Sequence, residues 1–481
     1  MATSRVQGIE EIFGLDAITR NELWQHLFEA IEEYMRTVDR HPVAAALPTE
    51  RIRDLLSHID FNEPQEPHDI LEYVTNGLWD NQVHGSHPRQ FEGSAPAPAV
   101  MGILADALAS AFNPELSERG RSPFAAEVEH HVITALGRRF GYGEGRDGAF
   151  TSGGAEAHQT ALLAALEHSF PGSFRHVGLY GLPARPVFYI AAEACSSLVK
   201  AAVACGLGDG ALRRVPLDSG LRLDTNALRE MIAADRDAGR APFMVAATAG
   251  TETCGVVDPL HELAGLAAGE RLWLHVDTGL GGAAVLLPEL AAVLEGIDLA
   301  DSIAGDAHRW FPVPVGAGLF LTRHGDILQR VFGQATGDTD LRAAVPGGRS
   351  IQTSRRFTGL QVFLALAVAG WEGCAEVVRY RRTMANELRR RLSDAQWAVV
   401  NETPFPVVCF VDRLGPQKGR DRYVDKLAHR VRASGEAWID VVRLPGRGLV
   451  LRACITNDST GPDDLAALVQ SLDRARRALL A

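Results

Sequence analysis

The chain has 481 residues, of which 46% are hydrophobic and 22% are charged, and its formal net charge is −12. This length and apolar content are typical of a globular protein with two or three domains and large cores. The acidic balance argues against a nucleic-acid-binding surface, and because no apolar run approaches about 18 residues we expect no membrane span.

The N-terminal segment, residues 1 to about 85, is predicted to be helical. Leu23, Leu27, Ile31 and Tyr34 recur at helical spacing in a stretch that begins after Asp16. A single amphipathic stretch normally packs on a larger body or on a second subunit, so we predict that this segment contributes to dimer packing. The first residues, MATSRVQGIEEIFG, lack an apolar core flanked by positive charge, so we expect no export signal.

Residues 86–370 are predicted to form a large α/β domain. The short apolar runs VFYIAA, FMVAATAG, LWLHVD and LFLT are each bounded by Gly, Pro or Asp and are separated by amphipathic stretches. This alternation is typical of βαβ units, and it predicts a mostly parallel sheet.

Residues 371–481 are predicted to form a smaller C-terminal α/β domain, in which a long polar helix precedes the strand-like runs PFPVVCFVD and GLVLRACI. The arginines from Arg379 to Leu392 have helical spacing, which indicates a solvated helix face. The six cysteines of the chain show neither C-x-x-C pairing nor metal-ligand spacing. This is expected of reduced thiols in a cytoplasmic protein, and we predict no metal site.

Two motifs indicate a ligand site at the carboxyl ends of strands, where parallel sheets bind ligands. In FTSGGAEAHQ, Gly153 and Gly154 precede a predicted helix whose free backbone N–H groups can bind a phosphate, and a plain loop is the alternative. Asp277 ends the buried run LWLHVD, and a buried carboxylate needs a partner. That partner is either the protonated ring nitrogen of a cofactor, or a structural arginine or helix cap.

Nine motifs, taken in chain order, resemble those of the group II pyridoxal-phosphate-dependent amino-acid decarboxylases, which include aromatic amino acid, glutamate and diaminobutyrate decarboxylases. The motifs are HPRQF, SPFAAEVEHHV, TSGGAEA, EACSSLVKAA, TAGTETCGVVDP, HVDTGLGG, ADSIAGDAHRW, TSRRFTGLQVFLAL and LRACITN. The resemblance implies a fold-type-I, aminotransferase-like architecture and a homodimer with active sites at the subunit interface. It also implies a carboxy-lyase scaffold.

The resemblance also locates several departures in the cofactor pocket. Arg309 stands where the family has the lysine that forms an imine with pyridoxal phosphate, and a guanidinium cannot act as that nucleophile. Cys195 replaces a histidine that stacks on the cofactor ring, Ala155 replaces a small hydroxyl residue of the phosphate site, and Glu252 replaces a threonine on the reactive side. The family's mobile loop supplies a tyrosine for protonation, whereas this chain has no tyrosine there and offers Asp338.

Four residues are retained. Gly153, Gly154, Asp277 and His308 match the family's phosphate and pyridinium contacts, and Ala155 contributes only its backbone. We hypothesise that Arg309 and Glu252 form an ion pair, because either charge buried alone would be costly. In the alternative interpretation the four residues are retained from the family fold for structural reasons only, and Asp277 pairs with Arg309.

Three functions remain open from the sequence. In the first, the protein is an enzyme without covalent pyridoxal phosphate, in which Arg309, Glu252, His308 and Cys195 act on an amino-acid-derived or acyl substrate in the interface pocket. In the second, it binds pyridoxal phosphate or a preformed cofactor–amine adduct noncovalently and performs decarboxylase-like chemistry. In the third, it is a noncatalytic member or a dimer partner. The first two functions predict a small, amino-acid-derived molecule bound to a homodimer. The third predicts a partner or regulator, for example in a heterodimer with an intact relative. No nucleic-acid or membrane partner is expected.

Overall fold

The computed structural model describes residues 14–45, 49–93, 96–116, 121–333 and 346–481. The predicted α/β class is confirmed, and the chain divides into two compact units. The first unit comprises the described residues within Met1–Glu92, Gly415–Asp440 and Ser459–Ala481, and the second comprises those within Gly93–Leu414 and Val441–Asp458. The domain limits read from the sequence, near residues 85 and 370, stay a prediction.

The described residues form helices and strands with the following bounds. The α-helices are α1 (Ala17–Thr37), α2 (Thr49–Ser57), α3 (Pro67–Asp80), α4 (Val100–Phe112), α5 (Pro123–Arg139), α6 (Gly154–Ser169), α7 (Ser173–Val177), α8 (Ser196–Ala204), α9 (Thr225–Asp237), α10 (Leu260–Glu270), α11 (Ala307–Trp310), α12 (Ile327–Phe332), α13 (Gly359–Asp394), α14 (Arg420–Ala433) and α15 (Pro462–Leu480). The strands are β1 (Asp147–Thr151), β2 (Pro186–Ala191), β3 (Leu212–Val215), β4 (Ala241–Thr248), β5 (Trp273–Asp277), β6 (Ser302–Asp306), β7 (Gly318–Thr322), β8 (Trp397–Val399), β9 (Val407–Asp412), β10 (Asp440–Leu444) and β11 (Gly448–Cys454). Short 3-10 turns span Val38–Arg40, Leu179–Gly181, Asp209–Ala211, Gly281–Leu286, Pro288–Leu294, Ile297–Leu299 and Pro346–Arg349.

Seven strands form the large sheet of the second unit in the order β1-β7-β6-β5-β4-β2-β3. Neighbours from β3 to β6 are parallel, whereas β7 runs antiparallel to both β6 and β1. The four apolar runs predicted as strands fall on β2, β4, β5 and β7. These runs are apolar on both faces because the sheet is covered by a separate hydrophobic core on each side.

The alternation along β5 decides which side chains meet the helix α6. Leu274 and Val276 belong to one core, while Trp273 belongs to the core that includes the buried side chains of α6. Because successive side chains of a strand point to opposite faces, His275 and Asp277 share the α6 face with Trp273.

The small sheet has the order β10-β11-β9-β8, and the predicted runs PFPVVCFVD and GLVLRACI fall on β9 and β11. The preceding helix α13 is kinked at Gly370, where φ is +63°. Among the described residues, α13 is the one helix long and apolar enough to cross a membrane by length and composition. Helices in the cores of globular proteins meet the same criteria, and Leu360, Val362 and Cys374 of α13 are buried.

The prediction of a wholly solvated arginine face on α13 is wrong for Arg381. This side chain is buried, and its Nε lies 2.6 Å from Asp458 Oδ1. Arg389 is half-buried and donates to backbone carbonyls, including that of Val407 at 2.9 Å. Arg390, by contrast, is exposed as the spacing predicted, and it pairs with Glu387 and Asp394.

The first unit contains α1, α2, α3, α14 and α15. Helix α1 begins where the sequence predicts, because the Asp16 carboxylate accepts hydrogen bonds from the backbone N–H groups two and three residues ahead. Tyr34 of α1 packs edge-on against Trp79 of α3, with ring centroids 5.0 Å apart. Phe91 N donates to Trp438 O at 2.7 Å, which joins the N-terminal segment to the C-terminal part of the unit.

Candidate functional site

The candidate site lies at the carboxyl ends of β4, β5 and β6, within the second unit. Thr248 ends β4 and leads to the turn that carries Glu252, Asp277 ends β5, and Asp306 ends β6. Neighbouring parallel strands end at the same edge of a sheet, so the three acidic residues gather there. Helix α6 begins at this edge too, since a Cβ atom added to Gly154 would lie 3.3 Å from Asp306 Oδ2.

The glycine turn before α6 is held by Glu156, which sequence analysis missed. The buried carboxylate of Glu156 accepts hydrogen bonds from Ser152 N and Ser152 Oγ, both at 2.8 Å, and from Gln352 Nε2 at 2.6 Å. Gly153 and Gly154 therefore start the helix in a fixed turn, and Ala155 adds only a methyl group. Ser152 and Glu156 are four residues apart and Gly153 is the N-cap residue, so the three-residue spacing of a capping box did not reveal this contact.

Asp277 is buried and is contacted by a backbone amide and a histidine ring. Its Oδ1 accepts the Gly279 N–H at 3.0 Å, and its Oδ2 lies 3.5 Å from His158 Nε2. Burial alone would raise the pKa of Asp277, but His158 and the Gly279 amide lower it to about 2. The carboxylate is therefore ionised at neutral pH.

Contacts between buried side chains continue from Asp277 through His158 and His275 to Ser302. His158 Nδ1 lies 3.1 Å from His275 Nε2, and His275 Nδ1 lies 2.8 Å from Ser302 Oγ. Complete burial lowers the pKa of His275 to about 3, so this imidazole is neutral. Sequence analysis assigned no role to His158 or His275, although His275 and Asp277 share one face of β5.

Arg309 contacts two carboxylates. Its Nε lies 3.1 Å from Asp306 Oδ2, and its Nη1 lies 3.8 Å from Glu252 Oε1. The hypothesised pair with Glu252 is thus within ion-pair distance, but Asp306 is nearer and more buried, with 14% of its side chain exposed against 46% for Glu252. Among the ion pairs of the described residues, those of Arg309 do not include Asp277. The three-residue spacing of Asp306 and Arg309 is the signal that sequence analysis passed over.

Cys195 lies at the N-terminus of α8, where its Sγ accepts a hydrogen bond from Ser197 Oγ at 3.1 Å. Burial raises the pKa of the Cys195 thiol, and the carboxylates of Asp277 and Glu252 raise it further. Because the thiolate is the nucleophilic form, this environment disfavours Cys195 as a nucleophile at neutral pH.

His308 and Asp306 bring unsatisfied polar atoms to the glycine turn. His308 Nδ1 and Asp306 Oδ1 are 4.0 Å apart, and both atoms are buried without a hydrogen-bond partner among the described residues. Burial lowers the pKa of His308, so its ring is neutral and one nitrogen carries a proton. Buried polar atoms normally find partners, so each of these two atoms needs a further one. Asp306 Oδ1 can only accept, so its partner must be a donor and not a phosphate oxygen.

Trp310 fixes the turn that carries Arg309. Its indole is buried, donates Nε1–H to Gly279 O at 3.1 Å, and lies so close to Gly282 and Gly305 that a Cβ at either position would overlap the ring. The packing and hydrogen bond of Trp310 therefore hold the backbone of α11 in place immediately after residue 309.

The residues present fit both ends of a pyridoxal phosphate molecule but not its covalent attachment. The helix N-terminus at Gly153 and Gly154, together with His308, suits the phosphate, and the ionised Asp277 suits a protonated ring nitrogen. Arg309 provides no nucleophile for an imine. Asp338, which stands in for the family's loop tyrosine, lies outside the described residues.

Comparisons with known proteins cover nearly the whole chain. The sequence model of the pyridoxal-dependent decarboxylase conserved domain matches residues 50–413. The chain is 27% identical to an aromatic-L-amino-acid decarboxylase of Bacillus atrophaeus, over 96% of this chain and 97% of the relative. It is 26% identical to an L-2,4-diaminobutyrate decarboxylase of Rhizobium meliloti (strain 1021), over 99% and 96% of the two chains. The crystal structure of mouse CSAD has the same fold, with a TM-score of 0.90 at 23% identity over 96% of this chain and 99% of that one.

Proposed function

Because the chain belongs to the pyridoxal-dependent decarboxylase family, we propose that it binds pyridoxal 5′-phosphate (PLP), or a preformed adduct of PLP with an amine, without a covalent bond at residue 309. Its substrate is an amino-acid-derived small molecule. The observation that carries the proposal is the buried, ionised carboxylate of Asp277 at the carboxyl end of β5, where it can accept a hydrogen bond from a protonated ring nitrogen.

Each residue has a role in this proposal. Gly153, Gly154 and His308 would hold the phosphate, and Asp277 would accept a hydrogen bond from the protonated ring nitrogen. When bound, PLP supplies a ring that accepts the electron pair of a breaking bond. Asp306 holds the Arg309 guanidinium, so Arg309 acts as a positioned hydrogen-bond donor and not as a base.

Glu252 is the group that can move a proton at the open side of the site. Its side chain is 46% exposed, and its backbone carbonyl accepts a hydrogen bond from Arg452 of β11. The turn is thus attached through its backbone while the carboxylate stays accessible to solvent. A positioned, solvent-accessible carboxylate can act in general acid–base catalysis.

Catalysis by Arg309, Glu252, His308 and Cys195 without any cofactor is the second candidate function. The 3.8 Å separation of Arg309 and Glu252 favours it. The geometry supports it less well, because Asp306 already neutralises Arg309 and the Cys195 thiol is held in its neutral form. A noncatalytic role is the outcome expected if neither PLP nor substrate binds.

We also propose a homodimer, as the resemblance to the family implies. Helix α4 carries an exposed apolar stripe at four-residue spacing, namely Val100, Leu104, Leu108 and Phe112. A stripe of this kind is suited to burial against a second copy. A cytoplasmic location remains part of the proposal, and all six cysteines are free thiols.

The test is a binding experiment followed by chemical trapping. The full chain is titrated with PLP and followed by absorbance and fluorescence, then treated with borohydride and digested for mass spectrometry. We expect saturable binding that gel filtration reverses, with no adduct at Arg309 or Lys200. Asp277→Asn should weaken binding, whereas Asp235→Asn, a buried control on α9, should not. A borohydride-fixed adduct, or binding of neither PLP nor a preformed PLP–amine adduct, would refute the proposal.

A further inference from the structure

A continuous line of buried hydrogen bonds ends at Asp277. Trp273 Nε1 donates to Ser302 Oγ at 2.8 Å, Ser302 Oγ lies 2.8 Å from His275 Nδ1, and His275 Nε2 lies 3.1 Å from His158 Nδ1. His158 Nε2 then lies 3.5 Å from Asp277 Oδ2. All five side chains are buried, so water does not compete for these contacts.

The chemistry of the first member favours one direction for the whole line. An indole N–H can only donate, so Ser302 Oγ accepts from Trp273 with one lone pair. The hydroxyl keeps a second lone pair and its own O–H, and in the favoured direction this O–H donates to His275 Nδ1. His275 is neutral, so its single proton is then on Nε2 and points at His158 Nδ1. His158 in turn donates Nε2–H toward Asp277.

The opposite direction is less favourable. If His275 carried its proton on Nδ1, then His158 Nδ1 would have to donate to His275 Nε2. A neutral His158 would then turn an unprotonated Nε2 toward the ionised carboxylate of Asp277. A doubly protonated His158 would avoid that repulsion, but its ion pair with Asp277 would cancel the charge that a cationic ligand needs.

We propose that Trp273, Ser302, His275 and His158 form a directed hydrogen-bond relay that fixes the orientation of Asp277 and keeps it ionised for a cationic aromatic nitrogen. The four members are positioning residues, since they act through Asp277. The identity of the ligand rests on the proposed function, but the direction of the relay does not.

The relay explains why Asp277 has no arginine partner. A guanidinium would orient the carboxylate but would also cancel its charge, and it would compete with a cationic ligand. The Gly279 amide and the His158 ring can orient Asp277 without the permanent positive charge of a guanidinium. Arg309, the nearby cation that could cancel this charge, is held by Asp306 and Glu252. The site is therefore selective for a protonated nitrogen heterocycle over a neutral one.

Histidine tautomers can be measured in the ligand-free protein. The full chain is labelled with 15N-histidine, and long-range 1H–15N spectra are recorded near pH 7.5, with signals assigned by His158→Gln and His275→Gln. We expect His275 to carry its proton on Nε2 and to lack one on Nδ1. Protonation of His275 at Nδ1 would overturn the relay.

The role of Trp273 has its own test in the same spectra. Trp273→Phe removes the donor that sets the direction, so a measurable fraction of His275 should move its proton to Nδ1. Trp397→Phe, which changes a buried tryptophan of the small sheet, should leave the His275 tautomer unchanged. An unchanged tautomer in Trp273→Phe would show that Trp273 does not direct the relay.

Ligand binding provides the functional readout. We expect His158→Asn to weaken PLP binding about tenfold or more, because a hydrogen bond to a charged group is typically worth at least that factor. Ser302→Ala, a milder change, should weaken binding less, and His168→Asn on the same helix α6 should bind as wild type does. If the variants bind PLP as tightly as this control, the relay does not serve Asp277. If wild type itself binds neither PLP nor a preformed PLP–amine adduct, the proposed function fails while the tautomer result still decides the relay.

Discussion

Arg309→Gln should destabilise the fold mainly through Asp306. The guanidinium lies 3.1 Å from Asp306 and 3.8 Å from Glu252, and the two carboxylates differ in exposure, 14% against 46%. Breaking a fully buried ion pair costs about 3–5 kcal/mol, and breaking an exposed pair costs less than about 1 kcal/mol. Since one fifth of the Arg309 side chain is exposed, we expect a loss of about 2–3 kcal/mol in the free energy of unfolding.

Two double variants identify the partner that matters. Asp306→Asn should recover most of the stability lost in Arg309→Gln, because it removes the buried charge left unpaired. Glu252→Gln should recover less than about 0.5 kcal/mol, since water already solvates that carboxylate. Urea unfolding followed by circular dichroism gives the free energies, and the double-mutant cycle gives each coupling energy. A larger recovery with Glu252→Gln than with Asp306→Asn would refute the reasoning.

Three further predictions concern the site, the pH dependence and the assembly. Arg309→Lys should not restore decarboxylation of aromatic or acidic amino acids, measured as CO₂ release. Asp306 would hold the new lysine protonated, and Cys195 and Glu252 would remain in the site. Robust turnover would show that only the lysine was missing. The pKa of His275 is about 3 in the folded protein, against an ordinary value of 6.5. As the pH falls below 6.5, the unfolded chain therefore binds a proton at His275 that the folded protein does not, and the free energy of unfolding decreases. When the pH is lowered from 7.5 to 5, the free energy of unfolding measured in urea titrations should therefore decrease by about 2 kcal/mol less in His275→Gln than in wild type. Equal decreases in the two proteins would contradict this prediction. Leu104→Asp combined with Leu108→Asp should convert the dimer to a monomer in light scattering, whereas Leu414→Asp, another exposed leucine, should not; a persistent dimer would exclude the α4 stripe as the interface.

Local chemistry made part of the structure predictable. The start of α1 follows from the capping ability of Asp16, and the strands β2, β4, β5 and β7 follow from apolar runs bounded by turn residues. Asp277 and Gly153 could be assigned to one site because parallel strands end at a common edge.

The rest depends on pairs that only the folded chain brings together. His158 and His275 are 117 residues apart, and Arg381 and Asp458 are 77 apart, so no local pattern indicates either contact. Asp306 is different, because its three-residue spacing to Arg309 was visible. Charge compensation between loops predicts Glu252 as the partner of Arg309, but Asp306 lies nearer.

The packing of Trp310 against Gly282 and Gly305 has a consequence for protein engineering. Because the indole leaves no space for the α11 turn to rotate, it determines where the side chain at position 309 begins and in which direction it leaves the backbone. A library that randomises residue 309 and keeps Trp310 would therefore present different functional groups from one fixed point. A library that also changes Trp310 or the two glycines would move that point, and the effect of chemistry could no longer be separated from the effect of position.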